Sequence, residues 1–410
     1  MESNKVIGIH KEGSIIFKFN KGTFLKNPID EFKKHINLML LNKNCDNILE
    51  KKEINLFSYK DNLIKKDTII FNKYKVIKRI NSSSFSDIYL GINLKDNNKY
   101  IVIKVEPSTI LKPLLEKEAY IIYNLKGLGI PKILSFGRIK NFNVLVEPYL
   151  GKSLNDIFIE KKRLSLKDIC LISIQIIQRI EWIHNKNIIH RDIKPANFLI
   201  GYEDQSIIYL IDFGLSQIYR SSKTGKHRKY AFTGGFSGTV RFASINALIG
   251  KQQSRRDDLE SIGYMIIYFM KGKLPWDMIC GKNNKEIYKK VYIKKKLFHI
   301  KDLCEDLPIQ IFEYMKYVKQ LEFYQTPDYN YLINLFRTIL KGISCQNQIF
   351  SWMHFSQSLN DSKIIYKRRE SPKNRLNFKF KVNLPKKRCS SSKRYTSENL
   401  SKNSSRKYSQ

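Results

Sequence analysis

Two short stretches of this sequence carry the side chains from which a chemistry can be read: "IIHRDIKPANFLI" (188–200) and "IYLIDFGLS" (208–216). In the first, an apolar strand leads into a tight polar loop. Asp192 in that loop can accept the proton of an attacking hydroxyl. Lys194, two positions on, can neutralise charge on a transferred phosphoryl group, and Asn197 can turn back to hold a metal ion. In the second, Asp212 ends an apolar strand, where a carboxylate can chelate Mg2+ ions that bridge phosphates. Phe213 is expected to pack inward and Gly214 to permit the backbone turn. A lone D-F-G is a common strand-end turn; its place after H-R-D is what points to phosphoryl transfer.

These groups need a partner that holds the phosphates, and the sequence offers one upstream. "RINSSSFSDIYLG" (79–91) reads as two strands joined by a turn, and "YIVIKVE" (100–106) places Lys104 inside the next apolar strand. The order resembles the nucleotide-covering hairpin and strand lysine of protein kinases, in which G-x-G-x-x-G lies between the two strands. Here the glycine positions are Asn81, Ser83 and Ser86, flanked by Ile80 and Ile88. Glycine would supply positive φ and close backbone approach, and a non-glycine residue forced into that geometry costs roughly 1–2 kcal/mol. Asn81 tolerates it better than most residues, the two serines are small donors, and Phe85 keeps a shielding side chain at the tip. Lys104 is expected to meet the α- and β-phosphates of ATP while a helix glutamate holds it. Glu116 and Glu118 both qualify; the run from Glu118 to Gly127 suits the helix length and favours Glu118.

The stretch "SGTVRFASINALIGKQQSRRDDLESIGYMIIYFMKGKLPW" (237–276) closely resembles the casein kinase I family, which carries S-I-N where most protein kinases have A-P-E. "LGKSL" (150–154), "TPDYNYLINLFRTIL" (326–340) and "IFSWM" (349–353) extend the likeness over roughly 69–355. The resemblance implies an α+β, two-lobed protein-kinase fold with a small β-rich lobe and a larger helical lobe. It implies use of ATP and Mg2+, and phosphorylation of Ser/Thr in proteins near acidic or already phosphorylated residues. The family's substrate anion site would fall on Arg241 and on Lys294 or Lys295, with Asp258 as the buried carboxylate that braces the catalytic loop. Aligned without gaps, "NVLVEPYLGKSL" puts Glu147 at the back of the adenine pocket and Pro148 at the start of the hinge. The Pro148 carbonyl and the Leu150 N–H then read the base. A shift of one residue would put Val146 at the back instead. A buried Glu147 needs a partner, and Lys104 is the candidate.

The element pattern fits that architecture. Short β-rich runs occupy 69–146, interrupted by the helical "LLEKEAYIIYNLKG" (114–127), and helical periodicity dominates from about 152. Three domains follow: an N-terminal extension over 1–68, a kinase domain over 69–356 with its lobes meeting near 149, and a basic, Ser-rich tail over 357–410 expected to be disordered. The 410 residues carry 74 basic and 37 acidic side chains, a net charge of +37. Heavy use of Lys throughout accounts for most of this excess, and nucleic acid is not required as a partner. Six scattered cysteines without a C-x-x-C pair argue against zinc and a secreted disulfide framework and suit the cytoplasm or nucleus. No apolar run approaches ~18 residues, so no membrane role is expected.

Two functions fit these residues. One is an active, monomeric serine/threonine kinase, with Lys104, Asp192, Asn197 and Asp212 all present. The other is a pseudokinase scaffold, suggested by the glycine-free loop and the unusual Glu147.

Overall fold

The computed structural model describes residues 64–82, 86–108, 113–343 and 349–353. The chain divides into two units, 1–359 and 360–410, and every described residue belongs to the first. Ser83, Phe85, the tail and most of the N-terminal extension lie outside the described residues. The last part of that extension does not: Ile64 is buried and its N–H donates to the Tyr89 hydroxyl at 3.1 Å, while Val76 N–H donates to Thr68. The sheet-bearing lobe therefore begins before residue 69.

Alternating apolar positions in the strands between 74 and 107 build this lobe, with register shifts between Val76 and Lys78 and between Arg79 and Asn81. Strands β1 (Ile69–Ile70), β2 (Tyr74–Ser82), β3 (Asp87–Asn93), β4 (Lys99–Pro107), β5 (Ser135–Ile139) and β6 (Phe142–Pro148) pair antiparallel in the order β1-β2-β3-β4-β6-β5. Ile101, Ile103 and Val105 of β4 point to one face, where they pack with Tyr74, Val76, Tyr89, Val144 and Val146. Val102 and Lys104 must then point to the other face. The register sets their neighbours there: Ile88 opposes Lys104, Leu145 opposes Lys104 on the far side, and Glu147 opposes Val102. Ile88, Val102, Lys104 and Glu147 thus share one surface of the sheet, with Glu147 diagonal to Lys104.

Helix α1 (Leu114–Asn124) buries Leu115, Glu118, Ala119 and Ile122, which recur at helical spacing. In the helical lobe, α2 (Leu154–Lys161) starts at a capping box in which Asp156 N–H donates to Ser153 Oγ and Ser153 N–H to Asp156. The long α3 (Leu166–Asn185) buries Ile169, Ile172, Ile176, Ile180 and Ile183 at intervals of three and four. It packs against α5 (Arg255–Lys271) and α9 (Tyr329–Gly342), with α4 (Ile245–Leu248), α6 (Asn284–Leu297), α7 (Ile300–Leu303) and α8 (Ile309–Gln320) between them in sequence. Ser351 N–H and its hydroxyl donate to Asp168 at 2.9 and 2.6 Å, which ties the last described segment to the start of α3. Among the described residues no helix is long and apolar enough to cross a membrane.

Candidate active site

A two-residue strand, β7 (Ile188–Ile189), fully buried and paired with β10 (Gln217–Ile218), ends at His190 and releases the polar loop. Arg191 then takes a φ of 73°, a left-handed conformation that a non-glycine residue holds only when its surroundings fix it. Asp258 of α5 does so. One carboxylate oxygen accepts from His190 N–H at 2.7 Å and lies 2.9 Å from His184 Nε2; the other accepts from Arg191 N–H at 2.8 Å. Burial acts to raise the Asp258 pKa, but His184, His190 and the Arg191 N–H outweigh it and hold the group below the usual carboxylate range.

The loop held in this way presents Asp192, itself buried, with both oxygens engaged. Lys194 Nζ donates to one oxygen at 2.6 Å, and the Thr239 hydroxyl donates to the other at 2.8 Å. The 3-10 turn Pro195–Asn197 brings the Asn197 amide back to the Asp192 carbonyl at 2.8 Å and to its carboxylate at 3.3 Å. Thr239 was not singled out from sequence, although it stands two residues before Arg241 in the quoted "SGTVRFAS". Its neighbour Gly238 has a φ of 122°, and a Cβ there would lie 2.8 Å from the Arg191 carbonyl, so glycine is needed for the two loops to meet.

Strands β8 (Phe198–Ile200) and β9 (Ile208–Leu210) pair and carry Asn197 and Asp212 to the same end of a ribbon. Asp212 has a φ of 66°, whereas Gly214 is not left-handed. The backbone turn expected at the glycine thus occurs at the aspartate itself, a residue whose short polar side chain tolerates it. Phe213 is fully buried, as expected, and packs edge-on against His190. Among the described residues the Asp212 carboxylate forms no hydrogen bond or ion pair, which leaves it available to a cation.

Above this ribbon, Lys104 Nζ lies 2.7 Å from Glu118 and 2.9 Å from Glu147. Glu118, not Glu116, is therefore the helix partner. Burial alone would lower the Lys104 pKa, but Glu118, Glu147 and Asp212 more than offset it and raise the pKa above its ordinary value. The Glu118 carboxyl is pushed up by burial, with Asp212 and Glu147 adding to the effect against the pull of Lys104. The carboxylates of Glu147 and Asp212 thus act in opposite ways on the charges of the two groups, holding the proton on Lys104 and adding to the burial that raises Glu118. Glu118 also accepts the Phe213 N–H at 3.3 Å and so links α1 to the segment behind Asp212.

Between the sheet and the ribbon lies a cleft of about 470 Å3. Ile80, Asn81, Ile88, Val102 and Lys104 line it from the sheet, Ala196, Leu199 and Ile211 from the ribbon side, and Glu147 to Gly151 along the connection. Leu199 and Ile211 were not foreseen as binding residues. Leu199 stands two residues after Asn197 and Ile211 directly before Asp212, and that proximity was the available signal. The unshifted alignment of the hinge is the one that forms, with Glu147 on the cleft face and Pro148 closing β6. Asn81 pairs with Ile88 in the ladder, its side chain accepts the Ser82 N–H at 2.8 Å, and it does not take a positive φ. The strain expected of a residue replacing glycine is absent there. Ser86 likewise has no positive φ, and it borders the hairpin without lining the cleft.

The expected anion site is only partly assembled. Arg241 is half-exposed, its Nε 2.9 Å from Asp277 and its guanidinium stacked over Tyr268. Lys295 is a correction. It is 3% exposed, its ammonium donates to the carbonyls of Val240, Arg241 and Ala243, and it sits over the rings of Tyr264 and Trp276. With all three protons committed to carbonyls it braces the Arg241 loop from within and cannot receive a substrate phosphate. Lys294 is exposed on the same helix, near Phe298, and makes no contact with Arg241 among the described residues.

The comparisons with known proteins agree with this geometry. Residues 74–344 match the family model described as the protein kinase domain. Over 297 residues the chain is 41% identical to casein kinase I homolog 2 of Schizosaccharomyces pombe, an alignment that covers 71% of this chain and 67% of that protein.

Proposed function

Because the chain belongs to the casein kinase I family of protein serine/threonine kinases, we propose that it is a working enzyme. In this reading it transfers the γ-phosphoryl group of ATP to serine or threonine in proteins that carry an acidic or phosphorylated residue nearby. The observation that carries this reading is the environment of Asp192. Its carboxylate is held by Lys194, Thr239 and Asn197 with no bulky group committed to it, and a scaffold would have no use for such an arrangement. Asp192 accepts the proton of the incoming hydroxyl, and Lys194 offsets the charge on the transferred group. Lys104, fixed by Glu118, meets the phosphates. Asn197 and Asp212 suit Mg2+, which keeps phosphate oxygens and water in its shell and so needs few protein ligands; bound there it neutralises phosphate charge. Among the described residues no cluster of three or more His, Cys, Asp or Glu side chains could hold a metal by protein alone.

The same reading includes activity without prior phosphorylation of the segment between Asp212 and Ser244. In support, this segment is held by hydrogen bonds that need no phosphate: Tyr219 Oη to the His184 carbonyl of α3 at 2.8 Å, and within the segment Arg228 Nε to the Ile218 carbonyl at 2.6 Å and Arg220 Nε to the Gly225 carbonyl at 2.8 Å. The cytoplasm or nucleus is the proposed location, in line with Cys170, Cys280 and Cys304 being unpaired thiols.

The test is transfer of labelled phosphate from Mg2+–ATP to an acidic peptide. If the wild-type chain transfers no more than its Asp212→Asn variant at millimolar ATP, the catalytic reading fails and the scaffold reading replaces it. Substrate preference is a separate matter. Arg241 is the only expected anion ligand left in position, and Asp277 partly neutralises it. Replacing Arg241 by Ala is expected to reduce the kcat/KM preference for an acidic over a neutral peptide by about 3–10-fold, and Asp277→Asn to strengthen it, the ratio of the two peptides being the measurement.

A further inference from the structure

Glu147 is out of keeping with its surroundings. It stands one residue before the hinge, lines the nucleotide cleft and is 4% exposed. One of its oxygens is 2.9 Å from Lys104 Nζ. The other, Oε1, is buried and has no hydrogen-bond partner among the described residues. A buried carboxylate oxygen without a donor is costly, and Lys104, already shared with Glu118, reaches only the other oxygen. Two further facts concern the same stretch of chain. Register places Glu147 opposite Val102, on the sheet surface that forms the roof of the cleft. Leu150, also lining the cleft, has an N–H without an acceptor among the described residues.

We propose that Glu147 is a base-selecting residue: its carboxylate and the Pro148 carbonyl together receive the two hydrogens of the 6-amino group of adenine, while Leu150 N–H donates to the adjacent ring nitrogen. This rests on the cleft being the nucleotide site. Adenine presents a donor at position 6 and an acceptor at position 1, which complements two acceptors followed by a donor. Guanine presents the reverse, a carbonyl and then an N–H. An ordinary hinge already opposes guanine at two points. A carboxylate adds a third, because its negative charge faces the guanine oxygen in a site of low dielectric. Methionine or leucine at this position would fill the same volume and be indifferent to the amine. Glu147 converts a packing position into one that reads the base.

The experiment uses the full chain and three phosphate donors with one peptide acceptor: ATP, GTP, and purine riboside triphosphate, which is ATP without the 6-amine. Loss of the Glu147–Lys104 contact weakens all three donors alike and cancels in their ratios, so the ratios are the readout. For the wild type, removal of the amine is expected to lower kcat/KM sharply. In Glu147→Met the ATP advantage over the amine-free donor is expected to shrink by about tenfold or more, the size of a hydrogen bond to a charged acceptor. In Glu147→Gln, whose amide can turn a donor toward the guanine oxygen, the ATP-to-GTP ratio is expected to fall by a similar factor. If both ratios stay within about twofold of wild type in the variants, the proposal is overturned. Should Glu147→Met fail to fold, Glu147→Gln decides alone. A wild-type chain that uses ATP but gains nothing from the amine defeats the base-selection proposal and leaves the kinase reading standing. A wild-type chain that uses no donor defeats both.

Discussion

Asp192→Asn is expected to reduce phosphate transfer to an acidic peptide by about 10²–10⁴-fold while the protein keeps its fold, the range associated with loss of a positioned general base. The substitution preserves size and keeps an oxygen for the Thr239 hydroxyl. What it removes is the carboxylate proposed to accept the substrate proton. It also turns an amide toward the Lys194 ammonium and the Asn197 amide, which are themselves donors. Nucleotide binding should survive, because Lys104, Glu118 and the apolar walls of the cleft are separate from this loop. The decisive measurement is kcat with saturating ATP and Mg2+, paired with a thermal melt of the same preparation. A decrease of less than about tenfold with an unchanged melt would mean that Asp192 is not the base.

The second large effect concerns stability. Asp258→Asn is expected to cost about 1–3 kcal/mol, the range for leaving a buried donor without its acceptor. Asp258 is 1% exposed and meets the backbone N–H groups of His190 and Arg191 and the ring of His184, whose other nitrogen lies 2.7 Å from the Tyr329 hydroxyl. An asparagine supplies one acceptor oxygen where the aspartate supplies two, and its amide group confronts an existing donor. Arg191 is then no longer held at its left-handed φ, and the adjoining Asp192 moves with it. Denaturant unfolding reads the stability change and phosphate transfer reads the displacement. The two variants separate cleanly: Asp192→Asn loses transfer with little change in stability, whereas Asp258→Asn loses both. An Asp258→Asn protein as stable as wild type would show that the loop is held by other contacts.

Much of this protein could be read without coordinates. The loop from Asp192 to Asn197, the strand-end Asp212 and the strand lysine Lys104 belong to local patterns in which chain spacing alone limits what the backbone can do. The β-rich run followed by helical periodicity gave the two lobes for the same reason, since side-chain alternation of period two or near 3.6 is a local property. The alternation in "YIVIKVE" even places Lys104 on the face opposite Ile101, Ile103 and Val105.

What required the folded chain is every pairing between residues distant in sequence. Glu116 and Glu118 are both buried on one helix, and only the docking of that helix on the sheet selects Glu118 for Lys104. Lys294 and Lys295 are neighbours of the same type, yet the rotation of about 100° between successive helix residues leaves the first in water and places the second under the Arg241 loop. Thr239 reaches Asp192 from 47 residues away, and Asp277 meets Arg241 from a different loop. Composition cannot supply such contacts, because a side chain's charge state and role depend on which groups share its burial, and burial is decided when separate elements pack.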